Sequence, residues 1–321
     1  KGLKKAMKAV ASFPHTQRKK AGGYQAKDNF QFMLMVLPTL VLLLLFHYLP
    51  MFGVVIAFQD FSPAKGFFGS QFVGLKNFEF FFKSQDAGRV IGNTVSYALV
   101  FLALDNALAI GLALMFYCLK SNIGVKVYNT VMILPRFLSM VIISFIVLSL
   151  LNVRSGVVNQ VLAALGGKKI QWYSRAQYWP YILTLVHEWA SVGMGCILYY
   201  ATLMGVDEGL FEAAMLDGAN RRQQLWHVAI PHLVSVIMIK LILGMGSIFQ
   251  GDFGLFYQVP RNIGLLYRTT DVINTYVFRA MMGGDLEKSA AIGLFQSLVG
   301  MAMVILTNLI VRKVSPEQSL F

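Results

Sequence analysis

Six apolar blocks, each long enough to cross a bilayer, limit what this 321-residue chain can fold into. They lie near residues 30–58, 93–118, 127–151, 180–204, 232–250 and 290–311. About twenty apolar residues span roughly 30 Å of hydrocarbon as a helix. In lipid every backbone N–H and C=O must find its partner inside the protein, which helices achieve locally. Composition agrees, with 56% hydrophobic and only 13% charged residues, against roughly 25% charged in an average soluble domain. The expected fold is an all-α membrane protein with about six transmembrane helices. The length of the first block, with Pro38 and Pro50 in it, predicts a kink or an extension beyond the membrane. That block is too long for a signal-peptide core and has no small-residue cleavage site behind it, so it is expected to stay in the mature protein.

The net charge of +13 would suggest nucleic acid in a soluble protein. Here it concentrates at Lys1, Lys4, Lys5, Lys8, Arg18, Lys19, Lys20 and Lys27, with only Phe13 and Tyr24 as aromatic residues among them, so no nucleic-acid role is expected. Leu3, Met7 and Val10 recur at helical spacing among the lysines. Residues 1–12 therefore fit a basic amphipathic helix on anionic lipid, and equally a solvated tail. Basic flanks stay inside, and the tail decides the orientation: fourteen Lys and Arg fall in inside segments against twelve in longer outer loops. An even number of spans then puts both termini in the cytoplasm of a bacterial cell, with the chain crossing its inner membrane several times. The expected organisation is a basic cytoplasmic segment at 1–29, a membrane domain at 30–312 with an inner loop at 205–231, and a cytoplasmic tail at 313–321.

Cys118 and Cys196 fall inside predicted spans without metal or disulfide spacing, and are read as small apolar filler. The five histidines form no H-E-x-x-H or similar ligand set, and no Ser-His-Asp arrangement or carboxylate pair marks a cleft. Gly167-Lys168-Lys169 lacks the spacing and the hydroxyl of a phosphate-binding G-x-x-x-x-G-K-[ST] loop, so the chain is not expected to be an enzyme or to hydrolyse ATP itself.

The inner loop, DEGLFEAAMLDGANRRQQLWHVAIP, reads as a short helix ending at a glycine. Ala213, Ala214 and Ala219 permit close approach of a partner, and Gly218 can take φ > 0 to turn the chain. Pro231 is expected to start the next membrane helix, where a missing N–H costs nothing. From the residues alone, an ordinary surface helix between two spans fits as well.

The loop resembles the EAA motif of ABC importer permeases: EAA, three residues, Gly, nine residues, then Ile-x-Leu-Pro. Glu212-Ala213-Ala214, Gly218 and Val228-Ala229-Ile230-Pro231 keep every spacing, with Val for Ile and Ile for Leu. HYLPMFGVVIAFQDFSPAKGFFGSQFVGLKNFEFFF, INTYVFR and AAIGLFQSLVGMAMVILTNLIVRK are similar to carbohydrate-uptake permeases, especially the polysaccharide or aldouronate subgroup. The resemblance implies a type I ABC importer permease fold with a cytoplasmic coupling helix between transmembrane helices 4 and 5. It implies Glu212, Ala213, Ala214, Asp217, Gly218 and Pro231 as the ATPase-coupling residues. It also implies a second, related permease, two ATPase subunits that bind the ATP and Mg, and an extracytoplasmic binding protein. No cofactor is expected in this chain.

Charges inside spans face cavities or partners. Asp105, Glu188 and Lys240 lie within blocks and Arg136 near the start of one. They are read either as cavity groups for sugar hydroxyls or carboxylates, or as mutual pairs, with Arg136 and Lys240 able to snorkel. Gln250, Asp252, Tyr257 and Trp189 suit sugars by hydrogen bonding and stacking, although aromatic residues there also form interfacial belts. Asp105 and Glu188 equally suit an ion- or proton-coupled secondary transporter, the alternative reading. The basic outer residues Lys65, Lys76, Lys83, Lys168, Lys169 and Arg175 fit an acidic cargo, uronate-based such as alginate. They fit solvated loop charges or binding-protein contacts equally well.

Overall fold

The computed structural model describes residues 22–119 and 122–314. The basic segment lies almost wholly outside these residues, as do Lys120 and most of the C-terminal tail. The chain divides into two units, 1–54 and 55–321. In the first, α1 (Gly22–Leu43) carries Pro38 and runs into a π-helical turn at Leu44–Tyr48. Pro50 cannot donate a helical hydrogen bond, and just before it the Leu49 N–H reaches back five residues to the Leu44 carbonyl. The candidate span here is Asn29–Phe58.

The second unit contains α2 (Lys76–Lys83), α3 (Gln85–Cys118), α4 (Asn122–Ile133), α5 (Met140–Leu151) and α6 (Val157–Ala164). These are followed by α7 (Trp179–Met204), α8 (Glu208–Leu216), a continuous span α9 (Arg221–Gly246), α10 (Phe253–Gln258), α11 (Ile273–Met282) and α12 (Leu286–Val314). Gln59–Asp60 and Gln71–Phe72 pair as a short antiparallel ladder, β1 and β2. Among the described residues five helices are long and apolar enough to cross a membrane, and a bent pair makes a sixth.

That pair corrects the continuous helix expected over 127–151. Hydropathy runs through it unbroken, but Pro135 ends α4 in a 3-10 turn at Leu134–Phe137. Ser139 then caps α5, its hydroxyl accepting from the Ile142 N–H at 3.3 Å. The two halves meet at 98°. Arg136, in the turn, is solvent-exposed.

Two other boundaries move. α3 starts at Gln85 rather than near 93, because Ser84 accepts from the Ala87 N–H and caps it. Its 34 residues reach about 51 Å, well beyond the hydrocarbon. α9 starts at Arg221 rather than at Pro231: Asn220 and Gln223 form a capping box, and a π-helical turn at Leu225–Ala229 carries the helix past the proline. Pro231 thus lies inside the span, and the loop expected over 205–231 closes at residue 220.

α3 and α7 form the centre of the unit through small residues, as membrane helices pack without a hydrophobic driving force between them. Ala109, Ala113 and Cys196 are fully buried with Tyr199 and Leu203, so Cys196 is filler as read. A Cβ built on Gly193 would stand 2.2 Å from the Met132 carbonyl oxygen, so α7 and α4 touch backbone to side. Likewise Gly300 of α12 faces the Gly246 carbonyl of α9. Tyr199 donates to Asn106 at 2.5 Å across the α3–α7 contact.

The segment 251–288 is a packed layer rather than an open loop. Leu255, Val259, Leu266 and Ile273 are fully buried, and Asp271 is 1% exposed. This layer sits on the Gln85 end of α3: Tyr97 donates to the Thr269 carbonyl at 2.7 Å and Asn93 to the Asp271 carbonyl at 3.0 Å. α8 sits at the other end of α3, where Phe211 packs on Tyr117 with ring centroids 5.3 Å apart.

Candidate functional site

Asp105, near the middle of α3, is the hub of a polar cluster. Ser191 of α7 donates to its Oδ1 at 2.7 Å, and His187 Nε2 lies 3.2 Å from its Oδ2. His187 and Ser191 are four residues apart, one turn of α7, so both meet the same carboxylate. The His187 ring also stacks on Phe101 of α3, centroids 3.8 Å apart and 5° from parallel, which fixes the imidazole edge-on to Asp105.

Glu188 joins from the next position of α7. It is 7% exposed, and neither oxygen finds a hydrogen-bond partner among the described residues. Lys240 of α9 supplies the opposite charge. Its ammonium interacts with both Asp105 and Glu188 and lies 4.9 Å from the Tyr199 ring centre. Gly195 makes room for it: a Cβ there would stand 3.3 Å from the Lys240 Nζ. Lys240 is half-buried beside these two carboxylates. Asp105, His187 and Glu188 also offer three donor atoms within 4.8 Å of one another, a spacing that suits a metal ion.

A cavity of about 280 Å³ opens beside this cluster towards the packed 251–282 layer. Asp105 and His187 lie at one end of its wall and Gln250 and Asp252 at the other, with Tyr97, Phe101 and Phe256 between them. The Gln250–Asp252 turn is held from outside. Asn274 donates to the Gln250 carbonyl, and Gln296 donates to the Phe249 carbonyl at 2.6 Å. Asp252 caps α10, accepting from the Leu255 N–H at 3.0 Å. Three of the residues read as a substrate pathway, Asp105, Gln250 and Asp252, thus share one cavity.

The others do not line it. Glu188 faces a largely apolar groove with Leu104, Leu108 and Leu185. Tyr257 is half-buried and packs against Phe253 and Phe278, with ring centroids 4.9 and 5.0 Å away. Trp189 is 44% exposed on the apolar outside of α7. His187 and Ser191 were missed as site residues. Their one available signal was the four-residue spacing in a span that also carries Glu188.

At the opposite end of α3, α8 presents the EAA segment. Asp207 caps it by accepting from the Gly209 N–H at 2.9 Å, and its end closes with the Ala219 N–H donating to the Ala214 carbonyl at 2.9 Å. Gly218 has φ +81°, the left-handed conformation that closure requires. Glu212, Ala213, Asp217 and Gly218 are exposed and Ala214 half-buried. Leu210, Met215 and Leu216 are exposed as well, at 45%, 62% and 89%. Phe211 is the residue that anchors the helix inward. A hollow of about 260 Å³ lies between Ala214, Asp217, Gly218, Gln223 and His227.

Residues 106–316 match the family model described as the binding-protein-dependent transport system inner membrane component. The chain belongs to that family. Within it, the chain is 33% identical to protein LplB of Bacillus subtilis, over 91% of each chain. It is 34% identical to the polygalacturonan/rhamnogalacturonan transport system permease protein YteP of the same organism, over 88% of each. Among solved structures it is similar to a chain of a bacterial ABC transporter involved in import of the acidic polysaccharide alginate. There the TM-score is 0.83 at 28% identity, covering 91% of this chain and 98% of that one. A second structure shows an alginate transporter with a periplasmic protein bound to alginate pentasaccharide, at the same TM-score and identity. The chain is accordingly a multi-pass ABC importer permease, the membrane subunit of a system that works with a substrate-binding protein.

Proposed function

We propose that this permease carries oligosaccharides or polysaccharide across the bacterial cytoplasmic membrane as one half of a heterodimer. A second, related permease completes the pathway, and two ATPase subunits supply the energy. Family membership leaves the ion-coupled alternative without support. The observation that carries the reading is the placement of two surfaces at opposite ends of α3: a polar cavity walled by aromatic rings, and an exposed helix end whose EAA spacing resembles the ATPase-docking loop.

Aromatic faces stack on pyranose rings, and the Gln250 amide and the carboxylates accept from or donate to sugar hydroxyls. At the other end, Glu212, Ala213, Ala214, Asp217 and Gly218 meet the ATPase. Pro231, two residues past the π-helical turn of α9, stiffens the first part of that span. Both termini, and α8 with them, lie on the cytoplasmic side. The Asp105–Lys240 cluster holds the centre of the bundle between the two surfaces. Alternating access follows if ATP binding and a docked, loaded binding protein favour one arrangement of the paired permeases and hydrolysis restores the other.

The test is ATP hydrolysis by the complex purified through this chain and placed in lipid, with and without its binding protein loaded with saccharide. Co-purification of an ATPase and stimulation by the loaded binding protein are expected. Absence of any ATPase, with uptake driven by an ion gradient, would overturn the reading.

A further inference from the structure

We infer that the cargo passing this subunit is a neutral oligosaccharide, not a polyuronate. The inference rests on the reading of the cavity as part of the saccharide path. Among the described residues, the cavity wall carries two carboxylates, Asp105 and Asp252, and no Lys or Arg. His187 is the remaining titratable wall residue with a nitrogen, and it already faces Asp105.

The nearby cations do not change this sign. Lys240 does not line the cavity; it approaches Asp105 and Glu188 from α9 as one cation against two carboxylates. Arg89 and Arg279 are engaged with the buried Asp271, outside the cavity. The loop cations Lys65, Lys76, Lys83, Lys168, Lys169 and Arg175 are exposed and absent from the wall, and Lys83 pairs with Glu79. Basic loops can draw an acidic chain to the surface, but the cavity that would then take it presents like charge.

A polyuronate brings one carboxylate per sugar. Each would leave water to stand near Asp252 or Asp105 with no wall cation to receive it, and like charges in a partly desolvated site repel strongly. A neutral sugar meets no such repulsion. Its hydroxyls donate to Asp105, Asp252 and Gln250, and its ring faces lie on Tyr97, Phe101 or Phe256. Asp252, a wall carboxylate with no ion pair among the described residues, is then the residue that sets the preference.

The experiment measures protection of a cavity cysteine, so that the binding protein's own selectivity does not enter. Ser247, exposed on the cavity wall, is replaced (Ser247→Cys) in the full complex, and its labelling by neutral N-ethylmaleimide is followed against the parent complex. The probes are trigalacturonate and its fully methyl-esterified form, which share one sugar backbone and differ in the charge and the ester methyls of their carboxyl groups. The ester is expected to half-protect at a concentration roughly tenfold lower than the uronate. Adding Asp252→Asn, which keeps the cap acceptor for Leu255 and removes the charge, is expected to shrink that ratio to about threefold or less. Equal protection, stronger protection by the uronate, or a ratio unmoved by Asp252→Asn would each overturn the inference. Protection by neither probe overturns it as well. The ATPase stimulation described above then tells whether the importer reading falls with it.

Discussion

The Asp271 carboxylate, 1% exposed, accepts from Arg279 at 2.6 Å and from Arg89 at 3.3 Å, and so ties the 251–282 layer to the first turns of α3. Thr275 donates to it at 2.9 Å, and Arg279 lies over the Tyr267 ring at 4.1 Å. The layer that carries Asp252 and Gln250 is therefore positioned by one buried anion with two cationic partners. Removing that anion leaves Arg279 without its carboxylate partner, while Arg89 keeps Asp86 at 2.8 Å. The Arg side chains are 23% and 34% exposed, so water softens the loss.

Asp271→Asn is expected to destabilise the outer layer by about 2–3 kcal/mol, below the ~3–5 kcal/mol for breaking a fully buried pair. Differential scanning of the purified complex and hydrogen exchange over 264–282 would show it. Unchanged exchange in that segment would mean the layer is held by its apolar contacts alone.

Coupling depends on the end of α8. Gly218 at φ +81° cannot be replaced by Pro, whose φ is fixed near −65°, and its N–H donates to the Met215 carbonyl at 3.1 Å. Gly218→Pro, and Glu212→Lys by charge reversal on an exposed face, are expected to leave the complex assembled while saccharide-stimulated hydrolysis no longer drives uptake. The uptake-to-hydrolysis ratio should fall at least tenfold in either variant. A normal ratio in both would remove α8 from the coupling path.

The spans and the short helix α8 were legible because their signals are local. A block of apolar residues needs only its own length, and α8 ends at a glycine within one short stretch of sequence. Three features were not legible for physical reasons. The break at Pro135 sits in apolar sequence on both sides, so hydropathy does not register it. The start of α3 is hidden because Asp86 and Arg89 are polar, although they belong to a helix that projects past the lipid. The Asp271 pairing joins residues 182 positions apart, and no local pattern reports it. The same holds within the site: Asp105, Glu188 and Lys240 were recognisable singly as costly charges, but their meeting depends on how α3, α7 and α9 pack. His187 belongs to no ligand spacing in the sequence, whereas the packing turns it onto Phe101 and Asp105.

Close approach of α7 to α4 makes Gly193 intolerant of any side chain. The added Cβ would lie 2.2 Å from the Met132 carbonyl oxygen, and backbone cannot move aside as a flexible side chain would. Gly193→Ala is expected to cost about 1–3 kcal/mol by overpacking, with Gly193→Val worse still. By contrast Gly293, where an added Cβ meets nothing within 4 Å, should accept Ala without loss. Thermal stability of the two alanine variants, measured side by side in the same lipid, checks this. Equal stability would contradict the packing described for α4 and α7.

The polar cluster predicts a specific non-additivity. Lys240→Met removes the positive charge that faces Asp105 and Glu188, and leaves two carboxylates together in a low-dielectric setting. Glu188→Gln removes one of those carboxylates, and with it the second negative charge that Lys240 balances. Each single change therefore leaves the cluster's charges unmatched, Lys240→Met more severely. Made together, the two changes leave Asp105 with Ser191 and His187 as its hydrogen-bonding partners. The double variant should accordingly be more stable than Lys240→Met alone, with an interaction energy of roughly 1–2 kcal/mol in a double-mutant cycle. A cycle on thermal stability and a parallel cycle on uptake separate a structural role from a transport role. If stability is non-additive while uptake is additive, the cluster serves to hold α3, α7 and α9 together; non-additivity in both places it in the moving part of the pathway. Strict additivity in both would mean that Lys240 is not the counter-charge of this pair.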